Sequence, residues 1–437
     1  MQRLIKISIG IGYIRLERMK LIYKRLIEIF VIAAFVGVAG ILPLYLISEK
    51  PTSIEINSDS DFIKYNFPGS GTSSNPYIIE DFSISKQLFR GISITNTHKY
   101  FVIRNCYLFQ NLLDGIRIDS VAEGTGQIYN NTVQEHSQSG IFITNSQNIT
   151  IRDNIIIECK YHIWLNNSNN CILTDNTIYA YRPPLDKQAI RYRGIFIDNS
   201  DHTLINNTYI KNVAYGIYLV DDNNSTISNN FLHVVTAAGL FVLYSNYTDI
   251  YLTTCLESYQ DCFAFRYSNF NRLENSTAQA GLIGLRVYTS NYNEIKFNSF
   301  EESITGIRIY EQSNNNTINS NLVANNEEIG IEILSGSNNK IYRNSFINNN
   351  ESVEFQAEDN SVNNTWFDEL TLEGNYWQGW NVSLPYPIQG SANNFDPYPL
   401  ASPIMLILKH SIDKAFSEKT FNLEFFFKIS DLKHERR

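Results

Sequence analysis

Two acidic pairs in this sequence are candidates for acid–base chemistry. Cleavage of a glycosidic bond uses two carboxyl groups about 5 to 9.5 Å apart, one of which protonates the leaving oxygen. Asp221 and Asp222 are adjacent, and Glu332 and Glu354 occupy the same position in successive sequence repeats. Asp is also an ordinary turn former, and arginines precede the two glutamates at the same repeat position, which favours a salt-bridge ladder. We therefore predict no catalytic residue.

Metal-binding side chains are scattered rather than clustered. Copper and zinc sites need several His, Cys or Met ligands close together, and the histidines fall in different positions of different repeats. The cysteines are Cys106, Cys159, Cys171, Cys255 and Cys262. They lack metal-ligand spacing, which favours buried apolar side chains, and a disulfide between Cys159 and Cys171 or between Cys255 and Cys262 is the alternative. We predict no metal site and no cofactor.

A repeated phrase, Gly-Ile-x-Ile, organises the chain. Its clear copies recur about every 23 residues and begin at Gly91, Gly115, Gly140, Gly194, Gly216, Gly239, Gly284, Gly306 and Gly330. Degenerate copies begin at His162, Cys262 and Ser352. A period of this length marks one structural unit that must stack on its neighbours to bury its apolar side.

A second phrase places Asn three residues after an apolar residue in most repeats. These asparagines are Asn105, Asn131, Asn154, Asn176, Asn207, Asn230, Asn298, Asn321 and Asn344. Asn tolerates the left-handed backbone of a sharp corner, and its amide can bond to the same residue one layer above or below. Apolar and polar residues alternate in both phrases, which indicates short strands. We predict an all-β fold, a single-stranded parallel β-helix of about 12 coils.

Both ends of the repeat array carry phrases that resemble known proteins. Gly69 to Ile79 is similar to the phrase that opens many right-handed parallel β-helices, and Gly374 to Trp377 with Asp396 to Leu400 resembles their closing phrase. The resemblance covers residues 69–400 and is to the NosD-like group and to carbohydrate-binding and sugar-hydrolysing β-helices. It implies a right-handed parallel β-helix that functions outside the membrane.

The resemblance also implies chemistry whose residues are missing from this sequence. Polygalacturonase-like members use clustered aspartates with Gly-His-Gly and Arg-Ile-Lys phrases, and neither phrase occurs here. NosD implies copper-site maturation, which would require a cluster of His, Cys or Met. Relatives often carry an acidic run that looks like a calcium loop, whereas residues 378–384 contain no carboxylate.

The third position of the Gly-Ile-x-Ile phrase carries the functional hypothesis. Because its neighbours point inward, this side chain points outward. Five consecutive coils place an aromatic residue there, namely Phe142, Trp164, Phe196, Tyr218 and Phe241. We predict that these residues bind a linear polysaccharide and that Arg117, Arg286 and Arg308 near the two ends suit an acidic chain. The alternative is an aromatic ladder that stabilises the sheet or packs under the overlong repeat between His162 and Gly194.

The N-terminal region differs in composition from the repeats. A basic stretch from Arg3 to Arg25 precedes Ile29 to Ile47, which contains no charged residue and is long enough to span a bilayer as a helix. Positive residues stay on the cytoplasmic side, so we predict a single-pass transmembrane helix with the repeats extracellular or periplasmic. A signal peptide cleaved near Ala39 is the alternative, and Met19 is an alternative start.

Net charge limits the possible partners, and composition divides the chain into segments. A net charge of −9, a pI near 5.4 and the lack of a basic stripe in the repeats disfavour a phosphate-binding face, so we predict no nucleic-acid partner. The predicted layout is a basic cytoplasmic segment (1–28), the anchor or signal segment (29–47), a linker and N-terminal cap (48–76), repeats (77–365), a C-terminal cap (366–400) and a tail (401–437).

The function predicted from these features is that of a membrane-anchored β-helix repeat protein outside the cytoplasm. It binds a polysaccharide or surface glycan, or serves as a cell-surface scaffold. The alternative is a glycan hydrolase, lyase or epimerase built on the same fold, which would need carboxylates beside the aromatic residues. Asp198 is the nearest such carboxylate by repeat position.

Overall fold

The computed structural model describes residues 52–86, 88–181, 192–350 and 355–404. Within these ranges the chain winds as an all-β solenoid whose successive coils pair in parallel. Most coils contribute three short strands, which we number columns 1, 2 and 3 in chain order. The predicted parallel β-helix of about 12 coils is confirmed by this topology.

Column 1 is a 12-stranded parallel sheet that contains the Asn phrase. Its strands are Tyr77–Glu80, Phe101–Arg104, Gly126–Tyr129, Thr150–Arg152, Ile172–Thr174, Leu204–Asn206, Thr226–Ser228, Asp249–Tyr251, Arg272–Glu274, Glu294–Lys296, Thr317–Asn319 and Lys340–Tyr342.

Columns 2 and 3 form one 24-stranded sheet, because two long strands, Tyr209–Val220 and Phe231–Leu243, run through both. The other strands of column 2 are Ser83–Ser85, Tyr107–Phe109, Thr132–Gln134, Ile155–Ile157, Thr177–Tyr179, Thr254–Ser258, Thr277–Gln279, Ser299–Glu301, Leu322–Ala324, Ser345–Ile347 and Tyr376–Trp377. The other strands of column 3, which contain the Gly-Ile-x-Ile phrase, are Ile54–Ile56, Ile92–Thr95, Ile116–Asp119, Ser139–Thr144, Tyr161–Asn166, Arg193–Asp198, Asp261–Arg266, Ile283–Tyr288, Thr305–Tyr310, Ile329–Ile333 and Ala357–Asp359.

Strand alternation in column 3 builds the core. The second and fourth residues of the phrase, such as Ile141 and Ile143, are fully buried inside the coil. The glycine that opens the phrase lies against the next coil: a Cβ on Gly216 would come within 2.5 Å of the carbonyl oxygen of Gly239. The recurrent glycine is therefore explained by close approach of two backbones.

The asparagines of the second phrase form a buried hydrogen-bonded ladder. The Oδ1 of Asn321 accepts the N–H of Asn298 at 2.9 Å, and its Nδ2 donates to the carbonyl of Ile295 and to the Oδ1 of Asn344, both at 2.9 Å. The same pattern recurs at Asn131. Each amide thus satisfies backbone groups that the corner would otherwise leave unpaired.

The left-handed corner is a separate column, one residue before the ladder. Asn130 and Asn229 have φ of 55° and 53°, in the region that Asn tolerates better than most residues. Of the asparagines identified in the sequence, Asn105 and Asn207 lie at this corner, with φ of 54° and 49°. The sequence pattern assigned both roles to a single Asn column, and the structure divides them between two adjacent columns.

Two caps cover the ends of the apolar core. At the start, the short helix α1 (Asp61–Lys64) places Phe62 against Tyr77, with ring centroids 4.5 Å apart. At the other end, Trp377 stacks on Tyr386 at 3.9 Å and donates its indole N–H to Asp396 at 2.9 Å. The closing phrase of the sequence therefore seals the last coil, as a solenoid requires. The strands Tyr386–Pro387 and Phe395–Asp396 pair antiparallel beside it.

The register predicted for the last repeat is wrong. Glu332 lies beside Glu358 rather than Glu354, because Ala357–Asp359 is the strand that pairs with Ile329–Ile333. This repeat is longer than most, since Ile331 pairs with Ala357, and residues 351–354 lie outside the described ranges. The phrase around Ser352 resembled the repeat by composition alone.

Three predicted regions fall wholly or mostly outside the described residues: the basic segment 1–28, the segment 29–47 and the tail 401–437, of which only 401–404 are described. Among the residues that the structure does describe, no helix has the length and apolar character needed to cross a bilayer.

The Asn ladder generates a stability prediction. We expect Asn321→Asp to lower the free energy of unfolding by about 2 to 4 kcal/mol, because a buried carboxylate cannot donate to Ile295 and Asn344. Chemical unfolding followed by far-UV circular dichroism measures the change. Asn325→Asp is the matched control, since Asn325 is solvent-exposed, and it should cost less than about 1 kcal/mol. Equal losses in the two variants would contradict the ladder.

Buried histidine generates a pH prediction. Burial lowers the pKa of His136 to about 4, from an ordinary value of 6.5. In the neutral ring, Nδ1 accepts the N–H of Asn111 and Nε2 donates to the carbonyl of Leu108, both at 3.2 Å. The unfolded chain therefore binds a proton more readily than the folded chain, and the fold loses up to about 3 kcal/mol through this group as the pH falls from 6.5 towards 4.

His136→Asn should remove that part of the acid sensitivity, because an Asn side chain can make the same two hydrogen bonds without titrating. We expect the unfolding midpoints of the variant and the wild type to agree above pH 7 and to separate between pH 6.5 and 4, with the variant more stable. Parallel curves over this range would show that His136 does not titrate on unfolding.

Candidate functional site

Three rows of side chains form the outer face of column 3 between the coils of Ser139 and Tyr288. The proximal row is the residue before each phrase: Ser139, Tyr161, Arg193, Tyr215, Ala238 and Asp261. The central row is the third residue: Phe142, Trp164, Phe196, Tyr218, Phe241, Ala264 and Arg286. The distal row ends the strand: Thr144, Asn166, Asp198, Val220, Leu243, Arg266 and Tyr288.

The five predicted aromatic residues are neighbours in the central row. Phe142 and Trp164 stack with centroids 4.3 Å apart and an interplanar angle of 22°. The angle grows along the row, to 42° between Phe196 and Tyr218 and 55° between Tyr218 and Phe241. Parallel rings cover each other's faces, so the first rings present mainly their edges, and the tilted rings leave part of a face free.

The central row is less open than the sequence suggested. Phe142 and Phe196 are buried, at 9% and 8% exposure, and the other three rings are half-buried. Proximal tyrosines cover them: the ring of Tyr161 lies 4.8 Å from Trp164, and that of Tyr215 lies 4.8 Å from Tyr218. The expectation of a fully exposed stripe is wrong because the proximal side chains fold over the row.

The arginines expected at the ends of the row are already neutralised. Arg117 lies 2.9 Å from Asp119, Arg286 lies 2.7 Å from Asp261, and Arg308 is bonded to Glu332. The salt-bridge ladder that the sequence offered as an alternative is therefore what this column contains. Such pairs carry no free charge for an acidic ligand.

Arg193 is different, since it is a cation on aromatic rings without a carboxylate. Its guanidinium carbon lies 4.5 Å from the ring centroid of Phe196, 5.1 Å from Tyr218 and 5.3 Å from Tyr161. Cation–π contact holds a guanidinium in place without cancelling its charge. Among the arginines in the described ranges, those with a carboxylate within 4.0 Å are Arg90, Arg104, Arg117, Arg152, Arg272, Arg286, Arg308 and Arg343.

Three buried polar atoms around Tyr161 have no hydrogen-bond partner within the described part of the chain. They are the Nε1 of Trp164, the Nε of Arg193 and the Oγ of Ser139. Ser139, Tyr161 and Arg193 are consecutive members of the proximal row. An unpaired buried donor costs about 1 to 3 kcal/mol, so three such atoms side by side are unusual in a folded protein.

The nearest carboxylates are held in hydrogen bonds at the turn before column 3. Glu135 accepts from Gln110 at 2.7 Å and from Gln134 at 3.0 Å. Glu158 accepts the backbone N–H of Tyr181, and burial raises the pKa of Glu158. At the distal edge, Asp198 accepts from Asn166 at 3.1 Å.

The adjacent aspartates are structural. Asp221 has φ of 50° at a corner, and Asp222 is fully buried, where burial raises its pKa well above the usual range. The backbone N–H of Asp222 donates to Ser245 at 3.0 Å, within a ladder of buried serines. Neither carboxylate belongs to the outer face of column 3.

Metal ligands are not assembled in the described residues. The five cysteines are buried free thiols, and His136 and His162 are buried within the coil. No group of three His, Cys, Asp or Glu side chains in those ranges is placed to hold an ion. The residues present therefore do not fit a copper site, which needs clustered soft ligands.

The repeat pattern matches two families of known proteins. Residues 181–381 match the family described as periplasmic copper-binding protein (NosD), and residues 69–232 match the right handed beta helix region. The two matches together span residues 69–381, so the repeats of this chain are similar to those of both families. No curated protein sequence matches it significantly.

Solved structures similar to this β-helix repeat protein include three that differ in origin. The A-module of mannuronan C-5 epimerase AlgE6 from Azotobacter vinelandii is 12% identical, with a TM-score of 0.48, over 71% of this chain and 98% of that one. A mannuronic acid specific polysaccharide family 6 lyase from human gut microbiota is 13% identical, with a TM-score of 0.46, over 74% and 86%. The Dettilon tailspike protein is 13% identical, with a TM-score of 0.43, over 59% and 60%. Likenesses at this level carry no inference about activity.

The proximal row is what sequence reasoning missed. Tyr161 and Tyr215 cover part of the central row, and Arg193 supplies a cation beside it. From the sequence, only the third residue of the phrase was compared from coil to coil. The same reading, applied to the residue before each glycine, finds Tyr161 and Tyr215 in one column with Arg193 between them. That Arg193 has no carboxylate partner among the described residues is visible only in the structure.

The stacking around Trp164 generates a stability prediction. Trp164→Ala should lower the free energy of unfolding by about 2 to 4 kcal/mol, because it removes ring contacts with Phe142, Tyr161 and Phe196. Trp164→Phe should cost less than about 1.5 kcal/mol, since it keeps a six-membered aromatic ring in the stack and removes only the five-membered part of the indole with its unpaired N–H. Chemical unfolding of both variants tests this. Equal losses would show that the indole N–H has a structural partner.

Proposed function

We propose that this β-helix repeat protein binds an acidic polysaccharide on the outer face of column 3, at the proximal and central residues Ser139, Tyr161, Trp164, Arg193 and Tyr218. The observation that carries the proposal is the cluster of unpaired buried donors around Tyr161. A ligand that supplies acceptor oxygens to Trp164 and Arg193 removes a cost that the free protein bears.

Charge supports an acidic ligand. Arg193 is held by aromatic rings and has no carboxylate partner among the described residues, so its charge is available to a carboxylate or sulfate on a sugar. The protein as a whole is acidic, with a net charge of −9. Arg193 therefore discriminates between anions by geometry rather than by bulk attraction.

Shape supports a polymer rather than a compact ligand. The aromatic surface extends over five coils, about 19 Å along the axis. Sugar rings present C–H faces that pack on aromatic side chains as other apolar surfaces do. Nucleic acid is disfavoured because its phosphates would face mostly ion-paired arginines.

Binding is favoured over catalysis. A glycan-cleaving site needs carboxylates that are free to exchange a proton with the substrate. Glu135 and Glu158 are engaged by side-chain or backbone donors at the turn, and Asp198 is engaged by Asn166. The role proposed is therefore that of a binding or scaffold module.

A surface glycan also fits the proposed location. The basic residues before the apolar segment 29–47 motivate a single-pass anchor with the repeats outside the cytoplasm. Protease added to intact cells should remove the repeats, and full protection of the repeats would overturn this topology.

The binding proposal is tested with the full-length protein and three probes: mannuronan, polygalacturonate and neutral dextran. We expect an acidic probe to bind and dextran not to bind. Arg193→Gln should weaken that affinity at least about tenfold, equivalent to about 1.4 kcal/mol, and should reduce its salt dependence. Trp164→Phe should weaken it as well, since the indole N–H is lost. Titration calorimetry at two salt concentrations provides the measurement.

Arg152→Gln is the matched control. Arg152 also lies over an aromatic ring, that of Tyr129 at 4.0 Å, but it stands on column 1 and is paired with Asp153. Its removal should leave the affinity unchanged. If no acidic probe binds, or if both arginine variants weaken binding equally, the site is not on column 3.

A further inference from the structure

A second arginine on the same face also lacks a carboxylate partner within the described ranges. Arg266, in the distal row, is solvent-exposed, and its guanidinium carbon lies 4.9 Å from the ring centroid of Tyr288 and 5.4 Å from that of Tyr267. Every other described arginine except Arg193 is within 4.0 Å of a carboxylate. Arg193 and Arg266 are thus the two free guanidinium groups of the described rod.

The two arginines stand on opposite edges of the face. Arg193 opens its strand, whereas Arg266 occupies the position of Asp198, at the other end of the strand and three coils further along. The separation is about 14 Å along the axis and about 17 Å across the strand, so the two positions are about 22 Å apart. The line that joins them runs obliquely to the axis of the rod.

The tilted aromatic rings lie beneath this line. Tyr218 and Phe241 are on the two coils between the arginines, and their planes differ by 55°. Both are half-exposed, in contrast to the buried Phe142, which stacks on Trp164 at 22°. Two half-exposed rings therefore lie between the two cations, and Tyr215 covers part of Tyr218.

We infer that an acidic polysaccharide crosses the rod obliquely, from Arg193 over Tyr218 and Phe241 to Arg266, instead of following the central row along the axis. The inference rests on the proposed function and adds a second anion subsite at Arg266. An axial path would run from Arg117 to Arg286, and both are ion-paired. The ligand is a linear chain with acidic groups at both ends of a stretch about 22 Å long.

Two subsites on one chain make affinity depend on chain length. An oligomer too short to reach both arginines binds one at a time, whereas a spanning oligomer binds the second subsite at high effective concentration. The wild-type affinity should therefore rise at least about tenfold once the oligomer spans about 22 Å. Oligomers longer than that should gain little more.

The experiment is a titration of full-length protein with mannuronate oligomers of increasing defined length. Arg266→Gln should abolish the rise with length and leave the affinity for short oligomers at the wild-type value. Arg193→Gln should weaken short and long oligomers alike, because the unpaired donors of Trp164 and Ser139 surround that subsite. Arg152→Gln should behave as wild type. Far-UV circular dichroism confirms that each variant is folded.

A second pair of variants tests the direction of the path. Phe241→Leu should weaken spanning oligomers several-fold, and by more than Phe142→Leu, which is in the same row but off the oblique line. The reverse result would place the chain along the axis. If Arg266→Gln has no effect while Arg193→Gln weakens binding, the oblique path is wrong and the proposed function stands. If neither variant changes binding of any oligomer, the proposed function falls as well.

Discussion

The structure depends on one constraint: every coil must satisfy the backbone groups of its neighbours at each corner. Strand hydrogen bonds do this along the flat parts of the coil, but corners expose N–H and C=O groups that no strand can reach. The Asn ladder solves the problem with side-chain amides, as at Asn298, Asn321 and Asn344, where each amide both accepts from and donates to adjacent coils. Because the amides are buried, their hydrogen bonds are costly to lose.

The buried ladder fixes the register between successive coils. This register places equivalent residues in rows on the outer face of column 3. Once the ladder aligns coil on coil, every residue type that recurs at one repeat position becomes a row on the surface. Rows of aromatic residues stack, and rows of opposite charge pair, as Arg308 does with Glu332. A row is stable when its side chains pair or stack with one another. A side chain in the row with an unpaired charge or hydrogen-bond donor therefore marks a place where something else can bind. Arg193 and the indole of Trp164 are such members.

The face of column 3 combines a stabilising part and an open part. At the end near Phe142 the rings lie nearly parallel and cover each other, which is the ladder that packing alone would produce. Towards Phe241 the rings tilt, and Arg193 lies over Tyr218 with no carboxylate partner among the described residues. The same sequence pattern, one aromatic residue per coil, thus serves two purposes in neighbouring coils. The proximal residues make the difference, since they determine which rings are covered.

The sequence by itself determined the fold. A period of about 23 residues with alternating apolar positions leaves little choice but a stacked coil, and the closing phrase indicates the cap around Trp377. It also located the five central aromatic residues, because successive side chains in a strand point alternately to opposite faces of the sheet. The strand of the last coil was misplaced because this repeat is longer than the usual period. The period therefore no longer predicts which residues pair between the two coils.

Only the tertiary structure decided which of the outward side chains are available. Exposure and pairing depend on neighbours one coil away and on neighbours in adjacent rows, such as Tyr161 over Trp164 or Asp261 beside Arg286. Sequence separation of more than twenty residues hides these contacts. Free charge is what remains after all pairings are made, and it is a property of the assembled surface rather than of any residue. Arg193 and Arg266 could therefore be recognised as unpaired only after the coils were stacked.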